Sequence, residues 1–136
     1  MKFHPNTKVY GDLSYRGKCS LKEDTDVMSI VNQVRIRYPD VIVLHIKNEG
    51  PRSGKDFQQL NKDKAMGFIQ GASDLVFYGN PTLVMEVKKQ NHMKSQWKPN
   101  QEEFLHRAER NGCMAVVALG AVAGLEAVED WMKLRK

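Results

Sequence analysis

Apolar and polar positions divide the chain into segments with two different periods. Val27, Ile30, Val31 and Val34 recur at helical spacing up to Pro39, which predicts a first helix. Residues 41–46 form a short β-branched run, read as a strand, and Asn48-Glu49-Gly50-Pro51 punctuates it. Residues 56–66 are polar and read as a helix stopped by Gly67. Residues 72–78 and 82–88 predict a second and third strand, joined through Gly79-Asn80-Pro81. Residues 99–110 predict a helix with proline at its start and Asn111-Gly112 at its end. Residues 114–119 predict a fourth strand, and Leu125, Val128, Trp131 and Met132 mark one face of a C-terminal helix. Residues 1–19 read as an irregular basic arm, either a frayed tail or a functional segment, with room for a short strand near Val9 and Tyr10.

Hairpin strands mixed with helical crossovers predict a mixed sheet flanked by helices, an α/β architecture. At 136 residues, one domain spanning 1–136 is expected, large enough to fold without metal or disulfide. Lys and Arg number 21 against 16 Asp and Glu, a formal charge of +5, which favours polyanionic partners. Cys19 and Cys113 have no partners at zinc-ligand spacing, so zinc motifs and disulfide scaffolds are excluded and a reduced cytoplasmic setting is expected. The run from 113 to 125 is too short to span a bilayer, and the first residues carry no secretory apolar region. Neither a G-x-G-x-x-G nor a P-loop motif occurs, so no nucleotide cofactor is expected.

The chemistry concentrates between residues 74 and 88. A three-residue connection at 79–81 pairs residue 78 with 82, Val76 with Val84 and Asp74 with Glu86. Directly opposed residues share a face, with Cβ atoms about 4.5–5.5 Å apart. Lys88 lies two positions beyond Glu86 and therefore projects from that face as well. Opposed carboxylates repel, and a divalent cation such as Mg²⁺, which takes hard oxygen ligands, would compensate them. The bland reading is a surface ion pair of Lys88 with Glu86 or Asp74.

Two helices add candidates. Glu23 lies within about 40° of the line through Val27, Ile30 and Val34, so it sits on the apolar stripe. Ser20-Leu21-Lys22-Glu23 also has the form of a capping box, and the two roles are compatible. Gln101 shares a stripe with Phe104, Leu105 and Ala108 and points inward, toward either a site group or the backbone.

In this order these residues resemble the VRR-NUC domain, a branch of the PD-(D/E)XK nuclease superfamily. The likeness covers about Glu23 to Val117 and includes His45-Ile46-Lys47-Asn48-Glu49-Gly50, Lys64-Ala65-Met66-Gly67-Phe68-Ile69-Gln70-Gly71-Ala72-Ser73-Asp74-Leu75, Glu86-Val87-Lys88 and Pro99-Asn100-Gln101. The resemblance implies a restriction-endonuclease-like mixed sheet, with Asp74, Glu86 and the Val87 carbonyl as metal ligands. It makes Lys88 the catalytic lysine, with Glu23 and Gln101 completing the site. It further implies Mg²⁺- or Mn²⁺-dependent cleavage of DNA phosphodiesters, and similarity to small phage-type enzymes that act as homodimers on Holliday junctions. Ser73 replaces the proline of the family's PD dipeptide, and residues 89–98 lengthen its usual link between lysine and glutamine.

That link is basic, and Lys89, Lys94, Trp97 and Lys98, with Arg52 and Lys55, are expected to approach DNA; the alternative is a solvated loop with Trp97 folded onto the core. Symmetric incision of a junction requires two sites, so a C2 homodimer is expected, with the N-terminal arm or the apolar face around Trp131 as candidate interfaces. The competing functions are a non-catalytic nucleic-acid-binding module and a nuclease on plain duplex or flapped DNA.

Overall fold

The computed structural model describes residues 1–46 and 54–136, with side chains from Gln58 onward in the second stretch. The elements run β1 (Lys8–Tyr10), α1 (Glu23–Arg37), β2 (Val43–His45), α2 (Gly54–Ala65), β3 (Leu75–Phe77), β4 (Leu83–Lys88), α3 (Gln101–Arg110), β5 (Met114–Leu119) and α4 (Ala121–Leu134). Among the described residues the strands form one five-stranded sheet in the order β1-β5-β4-β3-β2. The β1–β5 and β5–β4 pairs are parallel, whereas β4–β3 and β3–β2 are antiparallel. This is the expected mixed sheet with flanking helices. No helix among the described residues is long and apolar enough to cross a membrane.

Strand alternation separates two layers. Leu83, Met85 and Val87 of β4 face one side, where Val27, Ile30 and Val34 of α1 and Ala127, Val128 and Trp131 of α4 complete the larger core. On the other face Val84, Ala115 and Val117 meet Leu105 and Phe104 of α3, together with Phe3 and Trp97. Glu86 and Lys88 continue the Val84 row, so period-two geometry alone sends them to the α3 face. Both are buried, at 1 % exposure each.

The short strand expected near Val9 and Tyr10 is present in the basic arm: β1 pairs with β5, and ahead of it the His4 N–H and the Thr7 hydroxyl both donate to Glu102 at the start of α3. Other expectations are corrected. Ser20 does not cap α1; Lys22 occupies the N-cap position without a side-chain bond, and the Ser20 hydroxyl donates instead to Asp26. The strands read over 41–46 and 72–78 shorten to Val43–His45 and Leu75–Phe77, with one further backbone bond beyond each end, from the Ile46 N–H to the Asp74 carbonyl and from the Tyr78 N–H to the Ile42 carbonyl. Residue 99 lies outside α3, whose first turn follows Asn100 at φ 69°. Val128 and Trp131 of α4 lie in the core with Leu125 and Met132 packed against it, and the buried stripe also takes in Ala123, Gly124 and Ala127. Trp131 is fully buried, its indole N–H donating to the Pro81 carbonyl at 2.7 Å.

Candidate functional site

The β3–β4 register is Leu75↔Met85, Val76↔Val84 and Phe77↔Leu83, as the turn at 79–81 predicts. One step beyond the paired residues, Asp74 lies across from Glu86. The Val87 N–H donates to Asp74 Oδ2 at 2.7 Å and fixes that carboxylate against the end of β4. The approach to Asp74 is set by Gly71, at φ +89°, where an added Cβ would stand 2.6 Å from the Asn100 backbone. The same close contact holds the start of α3 beside the sheet, which delivers Gln101.

Gln101 is a bridge. Its Nε2 donates to Glu86 Oε1 at 2.9 Å, while its Oε1 accepts from Lys88 Nζ at 2.9 Å and from the Lys98 N–H at 2.9 Å. Lys88 Nζ also donates to the Gln96 carbonyl at 3.0 Å and stands 3.5 Å from Glu86 Oε1. Glu23 is half-buried on the rim, where its Oε2 accepts from the Ser95 hydroxyl at 2.7 Å; Ser95 Oγ in turn accepts from the Lys89 N–H at 2.9 Å.

Burial pushes the Glu86 carboxyl well above its ordinary range, and the Asp74 charge pushes it further, against the opposing pull of Lys88. Burial raises Asp74 as well, offset in part by the Val87 N–H. With both acids ionised, Glu86 Oε2 is buried and has no hydrogen-bond partner. A proton on Glu86 would resolve this, and the upward direction of its pKa favours that proton. A cation would resolve it as well, so the donor set fits Mg²⁺ or Mn²⁺: two hard carboxylates, an orphaned oxygen between them and excess negative charge. Among the described residues no three His, Cys, Asp or Glu side chains group at ligand spacing. Any ion here would therefore draw its remaining ligands from backbone, water or substrate, as Mg²⁺ commonly does.

Asp74, Glu86, Lys88 and Gln101 are thus brought together, and Glu23 stands beside them tied to Ser95. Lys89, Lys94 and Lys98 line a cleft of about 280 Å³ together with Lys22, Glu23 and Ser95. Trp97 turns inward: its indole N–H donates to the Lys2 carbonyl at 2.8 Å and its ring lies 5.4 Å from Lys88 Nζ. Arg52 lies outside the described residues, and Lys55 is placed in α2 by backbone only. The sequence reading missed Ser95, the Gln96 carbonyl and Lys22, which sit in polar stretches without periodicity. It also missed Gly71, although the small-residue run Gly71-Ala72-Ser73 before Asp74 signals close backbone approach.

No family model matches the chain, and no curated protein matches it. A solved structure, a "VRR_NUC domain protein", is similar to it with a TM-score of 0.65 and 23 % identity, covering 85 % of this chain and 91 % of that one. The mixed sheet, the flanking helices and this likeness together show that the chain has the VRR-NUC fold.

Proposed function

We propose that the protein is a Mg²⁺- or Mn²⁺-dependent endodeoxyribonuclease. The observation that carries this reading is the buried Glu86, with its partnerless Oε2, opposite the half-buried Asp74 and on the same face as Lys88. A pure binding module gains nothing from two opposed, desolvated acids, which destabilise a sheet unless a function requires them.

In this reading Asp74, Glu86 and the Val87 carbonyl hold the ion. When bound, a divalent cation polarises a phosphoryl oxygen and acidifies water. Gln101 occupies Glu86 Oε1, which leaves Oε2 free to face the ion, and the same amide aims the Lys88 ammonium. Lys88 orients the attacking water and offsets charge that develops on the phosphate. Glu23, held by Ser95, adds negative charge at the rim. Lys89, Lys94, Lys98 and Lys22 line the path of the phosphate backbone, and Lys55 and Arg52 serve the same end in this reading.

The substrate class proposed is branched DNA such as a four-way junction, cut symmetrically by a homodimer in a repair or phage setting. The test is incubation of the purified chain with labelled duplex, flap, splayed-arm and four-way DNA, with Mg²⁺ or with EDTA, alongside light scattering. Expected are Mg²⁺-dependent paired cuts in the four-way substrate and a dimeric mass. Binding without cleavage in any metal would identify a binding module, and equal cutting of plain duplex would remove the junction preference.

A further inference from the structure

We infer that Trp97 is a positioning residue for Lys88, and that the N-terminal arm forms part of the active-site wall through it; this rests on the nuclease reading above. Lys88 is 1 % exposed, and a long flexible side chain ending in a charge is costly to hold in such a place unless each direction is filled. Two directions are filled by the carbonyl oxygens of Gln96 and Gln101, and Glu86 stands at a third. On a further side stands the Trp97 ring, at 5.4 Å from Nζ to the ring centroid, within the range of attraction between a cation and an aromatic face.

The ring itself is held from behind. Its indole N–H donates to the Lys2 carbonyl at 2.8 Å, and Phe3 packs edge-on against it with centroids 5.7 Å apart. The adjoining Gln96 carbonyl belongs to the same short segment, so one stretch of chain supplies both an acceptor and an aromatic wall for the lysine. A ring committed in this way is not a free platform for stacking an unpaired base. Its effect falls on where the ammonium points during phosphoryl transfer, and therefore on turnover more than on DNA affinity.

The test compares Trp97→Leu, which removes the aromatic face, with Trp97→Phe, which keeps a face but lacks the indole N–H, on whichever substrate the wild-type chain cuts. Trp97→Leu is expected to lower kcat about 30-fold with KM changed less than about threefold, and Trp97→Phe to recover kcat to within about threefold of wild type. A second readout needs no activity: the drop in urea midpoint caused by Trp97→Leu should shrink when Lys88 is already replaced by Met. A raised KM with kcat intact would show base stacking and overturn the inference. So would Phe failing to outperform Leu, or equal midpoint drops in both backgrounds. If Trp97→Leu does not fold, Trp97→Met carries the same comparisons. If the wild-type chain cuts nothing, the nuclease reading fails, while the midpoint comparison still decides whether Trp97 and Lys88 are coupled.

Discussion

Glu86 is the residue on which stability and proposed activity pull in opposite directions. Its folded pKa is raised by burial and by Asp74, so the folded chain binds that proton more tightly than the unfolded one. Its stabilising contribution is complete below the ordinary value of 4.5 and is lost as pH rises through the higher folded value. In EDTA, the urea midpoint of the wild-type chain should therefore fall as pH rises above the ordinary carboxylate range. Glu86→Gln, which keeps the shape without the charge, should flatten that fall, and Mg²⁺ should restore the midpoint at high pH for wild type only. Parallel curves for the two proteins would show that Glu86 is not the group under strain. Ser73 offers a simpler case: its hydroxyl is buried without a partner. Ser73→Ala should stabilise the chain by about 1 kcal/mol in urea unfolding, since it removes a desolvated polar group that makes no bond.

At the scale of elements, the Asp74–Glu86–Lys88 face is legible in the sequence because it depends on local register alone. A three-residue turn and alternating apolar positions set residue 74 against 86, and every paired residue of β3 and β4 obeys that register. Gln101 is legible as an inward residue from its helical stripe, but its two partners are not, since they depend on how closely α3 approaches β4. Ser20 misleads because α1 starts after Lys22, two residues later than the capping pattern implies, and the Ser20 hydroxyl donates to the buried Asp26 carboxylate. The pairing of β1 with β5 joins residues more than a hundred positions apart and leaves no local trace beyond two apolar side chains. Trp97 reads equally well as a base platform because a basic polar segment carries no period to say which way an aromatic points. The close approach of Gly71 to Asn100 ties these elements together. Gly71→Ala forces a side chain into a left-handed conformation against backbone, and is expected to cost about 1–3 kcal/mol. It should also lower the cleavage rate by displacing Gln101; an unchanged rate with normal stability would show that α3 is held by other interactions.

For the molecule as a whole, the +5 charge matters only where it is concentrated, and the cleft holding Lys22, Lys89, Lys94 and Lys98 is such a place. If those side chains meet phosphates, replacing Lys22, Lys94 and Lys98 by Gln should reduce the slope of log affinity against log salt by about 0.7–0.9 for each phosphate no longer neutralised. An unchanged slope would place the DNA elsewhere on the surface. If a phosphodiester is cut at Asp74 and Glu86, cleavage depends on the Glu86 charge. The most direct measurement is single-turnover cleavage of labelled four-way DNA in Mg²⁺ by the wild-type chain and by Glu86→Gln, with DNA affinity measured alongside. The expected result is a rate lowered about a thousandfold or more with affinity little changed; cleavage by Glu86→Gln at a rate close to wild type would contradict it.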